Sequence, residues 1–306
     1  MATIVHTRPT QASKLKIVAA FLAIYLIWGT TFLGIRIAVE TIPPFLMAGL
    51  RFFLAGGVML PVLLARGGRF PSRLHWRSAF IVGGLMLVSG IGLVSFAEQR
   101  VSSGLAALLA ATIPLWMMLF QWLGFRGKRP SRRVFGGLVL GFGGVLLLFA
   151  PALQHSAGND DVLGMGIVLL GAMSFALGSL YSRRAPLPED TRISTASEML
   201  AGGILLFILS ALVGEPARLD IAAISVRSVV ALAYLTVFGS IIGYTAYLWL
   251  LKTVDPAKVS TNFYVNPVVA VFAGWLILGE TVTLSTLAAA VVVLLGAAVI
   301  NTRRSA

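Results

Sequence analysis

The sequence has no cysteine, only three histidines in 306 residues, and only 11% charged residues. The lack of cysteine excludes disulfides, iron–sulfur clusters and thiolate zinc sites. His6, His75 and His155 all fall outside the long apolar runs, so a serine–histidine dyad within a bilayer has no histidine to use. No aspartate lies in an apolar run, which removes an intramembrane aspartyl protease. Neither H-E-x-x-H nor a P-loop occurs, so zinc proteolysis and ATP hydrolysis lack their ligands. The expectation is a protein with no catalytic residue, no metal and no cofactor. The scarcity of charge also limits the fold. An average soluble domain carries about 25% charged residues, and a chain with far fewer could not cover a water-facing surface.

What the sequence does have is apolar: 58% of residues, gathered in long runs. Runs of roughly 18 or more read as membrane-spanning helices. They fall at 16–38, 44–65, 77–97, 103–125, 134–151, 163–183, 193–213, 227–251, 257–278 and 283–300. The first run is too long for a signal-peptide core and is read as a retained span. The joining loops are short and leave no room for a soluble catalytic domain. The predicted class is an all-α integral membrane protein of ten transmembrane helices.

The net charge of +13 does not point to nucleic acid, because the basic residues sit in short loops, as topology demands. With the N-terminus cytoplasmic, the inner segments hold Arg8, Lys14 and Lys16; Arg66 to Arg77; Arg126 to Arg133; Arg183, Arg184 and Arg192; Lys252 and Lys258; and Arg303 and Arg304. The outer segments hold only Arg36, Arg100, Arg218 and Arg227. This alternation predicts a multi-pass protein of the cell inner membrane with both termini cytoplasmic.

The chain also resembles itself. Ala55-Gly56-Gly57 answers Ala201-Gly202-Gly203, Trp28-Gly29-Thr30 answers Leu177-Gly178-Ser179, and Pro114 answers Pro267. Five spans per half is an odd number, so the second copy inserts upside down. The expected units are 16–152 and 163–301, as two inverted five-helix repeats around a central cavity.

Several residues stand out as a candidate substrate pathway. Pro114 and Pro267 each remove a helical hydrogen bond, and a carbonyl freed inside a membrane must find another donor or face a water-filled cavity; a packing kink without ligand is the alternative. Asn262 and Asn266 are four apart and share a helix face with Tyr264 nearby, in a run that also holds Ser260 and Thr261. They suit either a substrate cavity or hydrogen bonding between helices. Ser240, Tyr244 and Tyr247 in the eighth run, and Trp28 with Thr30 and Thr31 in the first, suit an aromatic-walled pocket, although the tyrosines also suit an interfacial belt.

Three ionisable residues complete the set. Arg51 and Glu198 lie inside spans, where a charge costs about 2.5–3.5 kcal/mol even on the gentler scale. The inverted repeat separates them by about 10 Å of depth, so separate gating or packing roles are expected rather than a direct pair. Glu98 ends the third span, either as a proton or cation site or as a loop carboxylate beside Arg100. Asp255-Pro256 and Ser102-Ser103 read as helix starts, and Gly137 with Gly141 as a close-packing face.

YLIWGTT (Tyr25 to Thr31), MAGLRF (Met47 to Phe52), AEQRVSSGLAALLAATIP (Ala97 to Pro114), NFYVNPVV (Asn262 to Val269) and Gly279-Glu280 together resemble the drug/metabolite transporter superfamily. Within it, the chain looks like the ten-helix EamA family and its YedA-like members. The resemblance implies alternating access around a central cavity and export of amino acids, metabolites or toxic compounds. It places Trp28, Glu98, Asn262 and Asn266 on positions of the family pattern. One departure separates the chain from four-helix multidrug transporters: its first span holds no acidic residue, since Glu40 lies beyond the helix end. The partners expected are therefore a small-molecule substrate, the lipid bilayer and protons as a candidate coupling ion, with no nucleic acid.

Overall fold

The structure is a computed structural model, and it describes residues 14–124, 131–154, 159–254, 256–259 and 261–301. Asp255, expected as a helix cap, and Ser260 lie outside the described residues, as do the loop residues Arg8, Arg126, Lys128, Arg129, Arg303 and Arg304.

The regular structure of the described residues is helical throughout. Helix occupies most of each stretch read as a span: α1 (Lys14–Ala38), α2 (Pro44–Ala65), α3 (Arg73–Ala97), α4 (Ser103–Leu123), α5 (Arg132–Gln154), α6 (Asn159–Ser182), α7 (Thr191–Leu212), α8 (Val226–Thr253), α9 (Asn262–Leu278) and α10 (Leu284–Asn301). Among the described residues, seven are long and apolar enough to cross a membrane: α1 to α4 and α6 to α8. Shorter apolar helices form α9, the middle of α5 and much of α10. Large apolar side chains are exposed on every side, among them Leu146, Val226, Val268 and Leu284, as a lipid-facing surface requires.

Local chemistry sets the helix starts. Pro44 stands in the first turn of α2, where its missing N–H costs nothing. Ser102 accepts from the backbone N–H of Leu105 and Ser225 from that of Ser228, capping α4 and α8. Two starts are held by carboxylates from distant sequence. Glu215 accepts from the N–H groups of Phe45 (3.1 Å) and Leu46 (2.7 Å) at α2. Glu280 accepts from those of Ser103 (2.9 Å) and Gly104 (3.2 Å) at α4. A carboxylate there satisfies orphan donors and complements the positive end of the helix dipole.

Lipid offers no hydrophobic drive between helices, so close backbone approach must supply the packing. It does so between α2 and α7. A Cβ on Gly56 would lie 2.7 Å from the backbone of Ala196 and of Leu200, and one on Gly203 2.7 Å from the N atom of Phe53. The α5–α10 pair is joined the same way: Gly296 sits against the backbone of Gly137 and Gly141, and Gly144 against that of Val293. The close-packing face expected of Gly137 and Gly141 is thus the α10 contact.

Several helices are irregular. Wider π-type turns occupy Ala23–Ile27 of α1, Gly84–Gly92 of α3, Leu235–Tyr244 of α8 and Gly274–Leu278 of α9. α4 breaks at Ala111 and Thr112, and Pro114 stands in the first turn of its second segment, Ile113–Leu123. The run expected as one helix over 257–278 divides into a single turn, Pro256–Val259, and α9. Such departures from regular helix concentrate at functional sites and, at membrane depth, require protein or a cavity around them.

Candidate substrate cavity

A cavity of about 80 Å³ lies among α1, α2, α3, α4, α6 and α9. A water needs roughly 10–15 Å³ on this measure, so the cavity holds a few waters or one compact group. The broken and widened helices meet here: Ala110, Ala111 and Ile113 line it from the α4 break, and Gly90 and Ile91 from the π-type turn of α3. Larger recesses, of about 530 Å³ beside Glu215 and about 350 Å³ beside Glu198, are grooves elsewhere on the molecule.

Of the residues expected along the pathway, Trp28, Thr31, Arg51 and Asn266 line this cavity. Trp28 donates its indole N–H to the carbonyl of Gly239 (3.1 Å) and Thr31 its hydroxyl to the carbonyl of Trp28 (2.7 Å). Asn266, its amide oriented to suit the surrounding carbonyls, donates to Ile24 (3.1 Å), Tyr25 (3.2 Å) and Asn262 (3.0 Å). The Tyr25 hydroxyl meets that of Thr261 at 2.6 Å. Asn266 therefore lines the cavity and also stitches α9 to the widened turn of α1. The widened turn of α1 is thereby tied to α9 by a side-chain donor.

The aromatic wall contains residues that sequence polarity did not mark. Phe175 of α6 and Phe263 of α9 line the cavity. Phe175 lies 6.3 Å from Trp28 and 6.2 Å from Phe263, both edge-on, as the ring quadrupoles prefer. Tyr247 stacks at a tilt on Trp28 at 4.8 Å and meets Ser179 at 3.2 Å through its hydroxyl. It is buried, so it belongs to this cluster rather than to an interfacial belt.

The other expected residues lie off the cavity wall. Ser240 is buried and accepts from the Nε of Arg51 at 2.6 Å. Tyr244 donates to Glu198 at 2.8 Å, and Ser194 to the same carboxylate at 2.9 Å. Arg51 and Glu198 thus have separate partners and form no ion pair with each other. Glu98 is completely buried, neither carboxylate oxygen having a hydrogen-bond partner among the described residues. Its own backbone carbonyl accepts from Arg36, while Arg100 sits over the Phe96 ring. Glu98 is therefore no exposed loop carboxylate paired with Arg100. Asn262 is buried, with no partner for its Oδ1 among the described residues. Tyr264 packs toward Leu115, Met118 and Phe142. Pro114 and Pro267 are both buried, Pro267 beside a crevice lined by the exposed Val268, Phe272 and Trp275. Neither proline lines the cavity.

Comparison with known proteins bears on this arrangement. The model of the EamA-like transporter family matches the chain twice, over residues 15–150 and 162–302. The Escherichia coli (strain K12) protein described as an uncharacterized inner membrane transporter, YedA, is 39% identical over 272 residues, covering 88% of this chain and 85% of its own. A probable amino-acid metabolite efflux pump of Salmonella typhimurium is 28% identical over 287 residues, covering 90% and 91%. A solved crystal structure, 23% identical, shares the fold with a TM-score of 0.65 over 95% of this chain and 98% of that one. The helices and the two family matches agree, and the chain belongs to the EamA-like transporter family.

Proposed function

We propose that this protein is a secondary transporter of the inner membrane that exports amino acids or other small metabolites by alternating access. The observation that carries the reading is the cavity walled by helices from both halves of the chain and lined by residues of the α4 break and the α3 π-type turn. Transporter sites of this kind form near the bilayer midplane from interrupted helices.

The architecture in this reading is ten spans, arranged as two inverted repeats over 16–152 and 163–301, with both termini cytoplasmic. Three observations support it. The family matches fall on nearly these two stretches. The close approaches are reciprocal, Gly56 against α7 and Gly203 against α2. The helix neighbours also pair across the halves: α1 with α9 as α6 with α4, and α3 with α6 as α8 with α1.

Glu98 and Glu198 are the candidate proton carriers, being buried carboxylates at different ends of the molecule. The relatives described as an inner membrane transporter and an amino-acid metabolite efflux pump support the membrane and the substrate range. The test is counterflow in proteoliposomes with a panel of labelled amino acids and metabolites, with and without a pH gradient. Accumulation of one class is expected; no exchange of any candidate would overturn the carrier reading. Glu98→Gln or Glu198→Gln abolishes the response to the gradient if that residue carries the proton.

A further inference from the structure

We propose that the cavity binds an apolar monocarboxylate, and that Arg51 is the group that holds the carboxylate. This rests on the carrier reading and names the chemistry of its substrate.

Arg51 is the one ionisable side chain on the cavity wall among the described residues, and it is 3% exposed. An unpaired charge at such depth is costly, and intramembrane ionisable residues usually have a partner or a role. No carboxylate of the described residues lies within ion-pair distance of it. Its Nε is committed to Ser240, and its guanidinium carbon lies 4.9 Å from the centre of the Phe52 ring. A guanidinium has five N–H donors, so the two Nη groups retain their capacity.

The group is also held in position. A Cβ on Gly239 would lie 2.7 Å from its Nη2, so the absence of a side chain there makes room for the fork. The hydroxyl of the next residue, Ser240, fixes the Nε edge. A planar fork anchored on one edge, its other donors making no hydrogen bond among the described residues, matches the geometry of a carboxylate accepting two parallel hydrogen bonds.

The remaining wall sets the rest of the ligand. Phe175, Phe263, Ile91 and Val94 are apolar. The polar hydrogens of Trp28, Thr31 and Asn266 are already donated to backbone carbonyls. No acidic side chain lines the cavity among the described residues, so an ammonium group finds no counter-charge there. The small volume and single cation suit one carboxylate on a compact hydrocarbon body better than a dianion.

The experiment is isothermal titration of the purified full-length protein in detergent with isovalerate and with its neutral isostere isovaleramide. Isovalerate is expected to bind at least tenfold more tightly. Arg51→Ala abolishes that preference, Arg51→Lys keeps part of it, and Ser240→Ala reduces it severalfold by releasing the anchored edge. Equal binding of acid and amide to the native protein would overturn the inference, and that comparison needs no variant to fold. Counterflow of amino acids alongside equal binding would leave the carrier reading standing; absence of both binding and counterflow would remove both.

Discussion

The α2–α7 seam and the central cavity lie side by side in one bundle but are built oppositely. In the seam both helices are regular, and glycines bring backbone against backbone, with Gly56 on Leu200 and Gly203 on Phe53. At the cavity α3 is widened and α4 broken, and side chains such as Trp28 and Asn266 take up backbone carbonyls. Regular helices in close contact have few alternative arrangements, because packed interiors are nearly incompressible. Helices with interrupted ladders exchange partners at smaller cost, and hinge motions are absorbed at just such positions. The contrast teaches that the seam is the more tightly fixed element, and on the alternating-access proposal it is the cavity helices that move.

Breaking the seam should have the largest effect. Gly203→Val places a branched side chain where even a Cβ would meet the backbone of Phe53. Overpacking alone typically costs about 1–3 kcal/mol, and here the obstructing atoms are backbone rather than a flexible side chain. Loss of folded protein is expected, read as loss of the monodisperse peak in detergent size-exclusion chromatography. A well-folded variant that still transports would show that the seam is not the fixed element.

At the cavity the expected effect is on transport with the fold retained. Phe175→Leu keeps an apolar side chain but removes the ring that Trp28 and Phe263 meet edge-on. Such aromatic pairs are worth about 0.5–1.5 kcal/mol each, so counterflow should fall severalfold while the purified yield stays near normal. Asn266→Ala should have a smaller effect on counterflow than on thermal stability, because its amide serves carbonyls of α1. Each hydrogen bond contributes about 0.5–1.5 kcal/mol net. An unchanged melting temperature with abolished transport would reverse that assignment and make Asn266 a substrate ligand.

Much of this division is legible in the sequence. The α2 boundaries follow from it because Pro43 and Pro44 fix the start, and the small residues of the seam repeat as Ala-Gly-Gly in both halves. Trp28, Thr31, Arg51 and Asn266 stand out because polar or amphipathic groups in an apolar run need a protected place. Phe175 and Phe263 do not stand out, because an apolar residue facing a cavity has the same chemistry as one facing lipid. The division of the 257–278 run and the break in α4 are equally obscure, since breaks and π-type turns leave no mark on the apolar pattern of a run. The matched prolines are both buried but neither lines the cavity, because a repeat fixes position in the chain and not which side chains reach a given space.

The smallest expected effect lies at the seam's end, where Asp190 caps α7. Its carboxylate accepts from the N–H of Arg192 at 2.8 Å and from the Arg192 guanidinium at 2.9 Å. The hydrogen bond from that guanidinium holds the Asp190 carboxyl below its usual range. A carboxyl lowered in the folded state contributes stability that is fully present above its unfolded value, about 3.9, and that is lost as pH falls through the folded value. Asn caps a helix about as well as Asp, so Asp190→Asn removes the charge and leaves the cap. The pair is partly exposed, and exposed pairs contribute about 0.2–1 kcal/mol, less at high salt. The variant should therefore melt slightly lower than the native protein at neutral pH and low salt, with the gap closing below about pH 4 and in high salt. A gap that persisted under acid or high salt would mean that the residue acts at α7 through its shape rather than its charge, and that this end of the seam is as insensitive to solution conditions as its glycine centre.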